Sequence, residues 1–166
     1  MPLDSTIFDV NGNLPSGDHP YTFDQFKEDF VDNFPTSVKR TEIICGFEEY
    51  CNCLKNLSDQ QIFLVQWIDG SFTTSKQDPS DIDLATHIDS ELYNQYIDDT
   101  SFKSEFEHYK IKSKFECDTY YIPIYPQNDM RYRLTQKSIN YWSNWFGKDR
   151  IGNKKGIVSM NDHIIV

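Results

Sequence analysis

An almost unbroken apolar run, Ile-Phe-Leu-Val-Gln-Trp-Ile at residues 62–68, constrains the fold more than any other feature of this sequence. The run is too short for a typical helix, and it lacks the alternation of a strand with one solvated face. We therefore predict a strand that is covered on both faces and lies near the centre of a sheet. The run also falls well short of the ~18–20 apolar residues that cross a membrane, so we expect no membrane span.

Helical and strand patterns surround this central run. Helices are predicted at residues 22–33, 37–57 and 134–146, with one or two more between 90 and 109, and further strands at residues 81–88, 114–122 and 150–157. This order predicts an α+β fold in which a small sheet is packed by helices. The 166 residues suit one domain, residues 1–166, with an irregular N-terminal arm (1–20) and a C-terminal helix and basic tail (127–166).

The charge balance is acidic, with 26 Asp and Glu against 16 Lys and Arg and a formal net charge of −10. Phosphate backbones repel such a chain, so we expect no direct binding to duplex nucleic acid. Residues 130–166 depart from this balance, because they hold seven Lys or Arg against two Asp. With no aromatic residues interleaved among those charges, the simplest interpretation is a basic tail lying against the acidic body; binding of an anionic ligand is the alternative.

The last predicted helix carries a cluster of aromatic residues that includes Tyr141, Trp142 and Trp145. Their spacing is typical of a packing face, and we predict that they belong to the core, with base stacking as the alternative. The four cysteines lack the paired spacing of a zinc site, which favours free thiols in a reducing compartment. The first residues carry aspartates where a secretory leader has a basic start and an apolar segment, so we expect a cytoplasmic protein.

One constellation points to chemistry: Gly70-Ser71 after the apolar run, nine residues, and then Asp81-x-Asp83 at the start of the next strand. Residues two apart in a strand point to one face, so Asp81 and Asp83 present adjacent carboxylates. Two adjacent negative charges are costly unless a divalent cation neutralises them. Oxygen ligands of this kind suit Mg²⁺, with Mn²⁺ as an alternative, bound together with substrate phosphates.

The Gly-Ser pair supplies the complementary half of such a site. A glycine allows the backbone to approach a phosphate closely, and Ser71 adds a hydroxyl group. Ser75 and Lys76 lie in the following loop, where Lys76 is a candidate for a terminal phosphate. A two-metal site needs a third carboxylate, for which Asp118 on the third strand is our first candidate and Glu116 our second.

Gly70-Ser71 followed by Asp81-x-Asp83 resembles the G-S-x-D-x-D signature of the nucleotidyltransferase superfamily related to DNA polymerase beta, especially its minimal single-domain bacterial members. The resemblance implies the small mixed β-sheet of the nucleotidyltransferase fold, with the signature between the first two strands and the third acid, here Asp118, on a later strand. The segments around Asn11 to Pro15, Asp69 to Lys76 and Pro79 to Leu84 also resemble an uncharacterised group of short bacterial proteins described only as nucleotidyltransferase-like.

Two functions follow as expectations. The first is a Mg²⁺-dependent nucleotidyltransferase that moves a nucleoside monophosphate from a nucleoside triphosphate to a hydroxyl of a protein, an RNA end or a small molecule. Asp81, Asp83 and Asp118 would hold the metal, and Gly70, Ser71, Ser75 and Lys76 would bind the nucleotide. The alternative is a catalytically weak module that binds another protein, as an antitoxin or a regulatory subunit does, for which an acidic body suits a basic partner.

Overall fold

The computed structural model describes residues 7–56, 63–97, 99 and 108–161, which contain a five-stranded sheet. The strands are β1 (Gly17–Pro20), β2 (Phe63–Asp69), β3 (Ile82–Asp89), β4 (Cys117–Ile124) and β5 (Gly156–Met160). The α-helices are α1 (Phe23–Lys27), α2 (Val38–Lys55), α3 (Ser90–Ile97), α4 (His108–Phe115) and α5 (Tyr132–Phe146). A π-helical turn (Glu28–Asp32) extends α1, and a 3₁₀ turn (Ser71–Thr73) follows β2. The predicted α+β class is confirmed.

Strand β2 lies in the middle of the sheet, as its apolar run predicts. The strand order is β1-β5-β2-β3-β4, and β2 pairs antiparallel with both of its neighbours, β3 and β5. The two outer pairs, β3 with β4 and β1 with β5, are parallel, so the sheet is mixed. Because β2 runs against β3 and β4, the end of β2 lies beside the starts of β3 and β4.

The two faces of the sheet carry separate apolar cores. Ile82 and Leu84 of β3 belong to the larger core, which also contains buried side chains of α1 and α2. Ala85 belongs to the smaller core, together with Phe146 of α5. Successive side chains of a strand point to opposite faces, so α5 covers the face opposite α1 and α2. Asp83, two residues before Ala85, therefore lies on the α5 face.

Two predicted elements differ from the structure. The N-terminal arm is not wholly irregular, because residues 17–20 form β1 at the sheet edge, where Gly17 pairs with Gly156 of β5. Pairing between segments so far apart in the chain leaves no local pattern in the sequence. The third strand begins at Cys117, because residues 114 and 115 complete α4 and Glu116 makes the turn with a φ of 56°.

Two further observations concern the helices and the cysteines. Across the described ranges, no helix is both long and apolar enough to cross a membrane. All four cysteines are free thiols. Burial raises the pKa of the Cys51 and Cys117 thiols, which keeps these two side chains protonated and poorly nucleophilic.

Candidate functional site

Carboxylates from three neighbouring strands meet at one end of the sheet. In the strand register, Asp83 of β3 lies directly opposite Asp69 of β2 on one side and opposite Asp118 of β4 on the other. Directly paired residues have Cα atoms about 4.5–5.5 Å apart and side chains on the same face. The structure thus brings Asp83 and Asp118 together, as the sequence predicts, and adds Asp69. We call Asp69, Asp81, Asp83 and Asp118 the carboxylate cluster.

Lys112 of α4 bridges two members of this cluster. Its Nζ atom lies 3.1 Å from Oδ2 of Asp81 and 2.9 Å from Oδ2 of Asp118. The hydrogen bonds to Asp118 and Asp81 raise the pKa of Lys112 above its ordinary value, so the ammonium stays charged. Lys112 was not predicted from the sequence, because no local pattern relates a lysine of α4 to carboxylates of β3 and β4. The bridge shows that Asp81 and Asp118 are close enough to share one cation.

His108 lies on the other side of Asp118. Its Nδ1 is 3.0 Å from the carbonyl oxygen of Thr119, and its Nε2 is 2.8 Å from Oδ1 of Asp118. A carbonyl oxygen only accepts hydrogen bonds, so Nδ1 carries a proton, and in a neutral ring Nε2 is then an acceptor. That acceptor faces the buried Oδ1 of Asp118, which has no hydrogen bond in the described part of the chain. His108 therefore contacts Oδ1 of Asp118, and Lys112 contacts Oδ2.

Gly70 occupies a position that only glycine fills without strain. Its φ is 79°, and a Cβ atom at this position would overlap the carboxylate of Asp83. The turn therefore presses the backbone of Gly70 directly against the carboxylate cluster. Ser71 follows as the first residue of the 3₁₀ turn, so Gly70, one of the four residues predicted to bind nucleotide, adjoins Asp83, and Ser71 is its neighbour in the chain.

A buried lysine contacts the backbone of this turn and stabilises its conformation. The Nζ of Lys155 lies 2.7 Å from Oδ1 of Asp69 and donates a hydrogen bond of 2.6 Å to the carbonyl oxygen of Gly70. Lys155 and Asp69 are both buried. Burial raises the pKa of Asp69 to about 7, against the lowering effect of Lys155. Since an unpaired buried charge is costly, the pair holds the carbonyl of Gly70 inward and fixes the orientation of the turn.

The loop between Ser71 and Asp81 is organised by Arg40 of α2, which is fully buried. Its guanidinium donates hydrogen bonds to the carbonyl oxygens of five residues: Phe30, Phe72, Thr74, Lys76 and Gln77. Its Cζ lies 3.7 Å from the ring centroid of Phe34 and 5.1 Å from that of Phe72. The sequence analysis placed this part of α2 in a packing helix and missed the role of Arg40.

Ser75 and Lys76 do not join the carboxylate cluster in this structure. The backbone of Ser75 donates a hydrogen bond to the carbonyl oxygen of Gly12, and that of Lys76 to the hydroxyl of Thr74. Both side chains are exposed, and within the described residues the Lys76 ammonium forms no ion pair. Their proposed contacts with phosphate remain a prediction.

Glu116, the second candidate for the third acid, lies outside the site. It occupies the turn before β4 with a left-handed backbone, and its carboxylate pairs with Lys39 of α2. Asp118 instead lies in register with Asp83. The choice between the two acids therefore falls on Asp118.

Comparison with known proteins identifies the family of this chain, whose function is unknown. A family model described as a family of unknown function, DUF6932, matches residues 6–161. The chain belongs to this family. No curated protein and no solved structure matches the chain. The chemistry of the carboxylate cluster is therefore the basis for the function proposed for this DUF6932 member.

The electrostatics of the cluster leave negative charge uncompensated. Four carboxylates face two ammonium groups, Lys112 and Lys155, in a partly buried site. Burial, together with the negative charges of Asp81 and Asp118, raises the pKa of Asp83 to about 6. Ionised Asp83 is thus the group that gains most from an added cation.

The raised pKa of Asp83 predicts how pH changes the stability of the metal-free protein. An unfolded Asp titrates near pH ~4, so between about pH 4 and pH 6 the folded state binds more protons than the unfolded state. The Asp83 contribution to the free energy of unfolding therefore falls as pH rises through this window, by about 3 kcal/mol in total. Urea unfolding in EDTA should show Asp83→Asn more stable than wild type at pH 8 but not at pH 4. A constant difference between the two proteins across this range would contradict the assignment.

Proposed function

We propose that this protein is a Mg²⁺-dependent nucleotidyltransferase that transfers a nucleoside monophosphate from a nucleoside triphosphate to a hydroxyl group. One observation carries the proposal: Asp83 and Asp118 are direct partners in the β3–β4 register, and Gly70 packs against the carboxylate of Asp83. The turn that would bind a phosphate thus adjoins the carboxylates that would hold the cation. Mn²⁺ is the alternative metal, since it accepts the same oxygen ligands.

A divalent cation would require a rearrangement of the carboxylate cluster. In the described part of the chain, no group of three or more carboxylate, imidazole or thiol side chains is arranged so that it could hold a metal ion. Lys112 occupies the space between Asp81 and Asp118 instead, but its side chain is 45% exposed and its long stem can turn away. A doubly charged ion interacts more strongly with these carboxylates than a single ammonium does.

Each group of this chain then has a distinct task. Asp81, Asp83 and Asp118 would hold the metal, which when bound supplies positive charge at the reacting phosphoryl group and lowers the pKa of the attacking hydroxyl. Gly70 and Ser71 would hydrogen-bond the phosphate oxygens, with their orientation set by Lys155 and Arg40. Asp118 would also accept the proton of the hydroxyl.

The second candidate function is a metal-free module that binds another protein. The observation that favours it is Lys112 itself, because a lysine between two carboxylates can replace a metal permanently. In that case the carboxylate cluster is a structural remnant, and a fold of this class serves recognition rather than chemistry.

Calorimetry with ATP, GTP, CTP and UTP, in Mg²⁺ and in EDTA, tests the proposal and separates the two candidates. A nucleotidyltransferase should bind at least one nucleotide only when Mg²⁺ is present. Lys112→Met should bind Mn²⁺ more tightly than wild type, because a competing cation is removed while the stem volume is kept. For a metal-free module, nucleotide binding should be indifferent to Mg²⁺, and Lys112→Met should only lower the free energy of unfolding, since two carboxylates lose their partner.

A further inference from the structure

Helix α5 exposes large aromatic side chains that a helix packed on a sheet usually buries. Tyr141 is 58% exposed and Trp145 is 66% exposed, and Leu134 is also largely exposed. Trp142, in contrast, turns towards the sheet, where its ring lies 4.2 Å from that of Tyr120. The prediction that Tyr141, Trp142 and Trp145 all belong to the core is therefore wrong for Tyr141 and Trp145. These two rings are available to a ligand.

Basic side chains share this exposed face. Arg133, Lys137, Tyr141 and Trp145 follow one another at intervals of four residues, so they lie one above another along α5. Arg133 and Lys137 are exposed, and Lys148 follows just after the helix. No Asp or Glu occurs between residues 130 and 148. The sequence predicted no aromatic residues among these charges, but on the helix Arg133 and Lys137 are followed by Tyr141 and Trp145 on one surface, which we call the basic aromatic face.

The basic aromatic face is joined to the carboxylate cluster by a row of rings. Tyr141 contacts Trp142 edge-to-face at 5.0 Å, and Trp142 lies against Tyr120 of β4. Tyr120 follows Asp118 by two residues, so both side chains point to the same face of the sheet. The ring of His108, which lies beside Asp118, is 5.2 Å from that of Tyr120. A continuous row of packed rings therefore leads from the exposed face of α5 to Asp118.

We propose that the basic aromatic face binds a single-stranded polynucleotide. Exposed rings stack on unpaired bases, and neighbouring Lys and Arg neutralise the phosphates between them. The exposed amides Gln136, Asn140 and Asn144 add hydrogen-bonding groups for base edges. A duplex hides its bases from such rings and would bring more phosphate towards the acidic body, so single strands are selected.

Binding of a strand to this face also identifies the acceptor of the transferred nucleoside monophosphate. This inference rests on the proposed nucleotidyltransferase function. The terminal hydroxyl oxygen of the strand would form a bond to the α-phosphorus of the nucleoside triphosphate. The bond to pyrophosphate would break, and the hydroxyl proton would pass to Asp118. The acceptor is thus the end of a polynucleotide whose body lies on α5.

Fluorescence anisotropy of labelled oligonucleotides, measured in EDTA, tests the binding apart from the chemistry. The probes are an oligouridylate and an oligothymidylate of about 20 nucleotides, which distinguish RNA from DNA, and a duplex of the same length. We expect binding of a single strand that weakens steeply between about 50 and about 200 mM salt, and weaker binding of the duplex. Quenching of Trp145 fluorescence should accompany binding of the single strand.

Substitutions on the basic aromatic face, with a control substitution outside it, test which side chains bind the strand. Tyr141→Ala with Trp145→Ala should weaken binding of the single strand by at least about tenfold, because two stacking contacts are lost. Lys137→Gln should reduce the slope of affinity against salt by about one, as the loss of one phosphate contact does. The matched control is Lys27→Gln, the same change at an exposed position of α1, which should leave both quantities unchanged.

Three results would overturn the proposal. The first is absence of binding at about 100 µM protein in low salt, and the second is equal affinity of wild type and the double aromatic variant. The third is displacement of the oligonucleotide by polyglutamate at equal charge, which would identify the face as a surface for an acidic protein. The inactive variant Asp83→Asn should bind the oligonucleotide as wild type does. Failure of nucleotidyl transfer and failure of strand binding are therefore separate outcomes.

Discussion

Asp83→Asn is expected to reduce nucleotidyl transfer by at least about a thousandfold while leaving the protein folded. The substitution keeps the shape of the side chain but removes the charge that neighbours Asp69, Asp81 and Asp118. Metal ligands contribute several kcal/mol of transition-state stabilisation, and each ~1.4 kcal/mol is tenfold in rate. The measurement is release of pyrophosphate from the four nucleoside triphosphates in Mg²⁺, together with Mg²⁺-dependent nucleotide binding.

Glu116→Gln is the matched control for this experiment. It makes the same change of charge one residue before β4, but at a carboxylate that pairs with Lys39 outside the cluster. This half-buried pair lies outside the cluster, and we expect activity and nucleotide binding close to those of wild type. If the Asp83 variant kept its turnover, or if the Glu116 variant lost it equally, the carboxylate cluster would not be the active site.

Arg40→Leu is expected to have the largest effect on stability, a loss of about 3–5 kcal/mol in the free energy of unfolding. The leucine supplies none of the donors on which five buried or partly buried carbonyl oxygens depend, and each unpaired carbonyl costs about 1–3 kcal/mol before relaxation. Guanidinium chloride unfolding at neutral pH measures the loss. Mg²⁺-dependent nucleotide binding should weaken as well, because the loop after Ser71 loses its shape.

Two further variants isolate the cause of that loss. Arg40→Lys keeps the positive charge but offers one compact ammonium to carbonyls spread around a planar guanidinium, so it should recover only part of the stability. Arg131→Leu removes an exposed arginine that pairs with Asp129, and it should change stability by no more than about 0.5 kcal/mol. If Arg40→Leu were as mild as Arg131→Leu, the loop would be held by other contacts.

The candidate site divides into a part that could be predicted and a part that could not. The period of two in a strand placed Asp81 and Asp83 together, and the Gly-Ser turn after an apolar run located the backbone that adjoins them. Asp118 was predicted as the third acid from a strand-like segment, and the register places it beside Asp83, while its role stays a prediction. Lys112 could not be predicted in its bridging position, because it depends on how α4 packs beside β3 and β4.

The exposed face of α5 could likewise be predicted only in part. An aromatic spacing of one turn is compatible with a core and with a surface, and the side of α5 that meets the sheet is decided by its packing against β4. The structure assigns Trp142 to the sheet and leaves Tyr141 and Trp145 outside. The sequence predicted the helix but not its orientation.

By itself, the sequence determined what depends on neighbours in the chain: the central strand, the helices, the shared face of Asp81 and Asp83, and the need for glycine at position 70. Only the tertiary structure decided which distant groups meet them, namely Asp69 across from Asp83, Lys155 beneath Gly70 and Arg40 within the loop. The reason is physical. The periodicity of a helix or a strand depends on consecutive residues, whereas strand register and helix packing depend on burial and pairing summed over the whole chain.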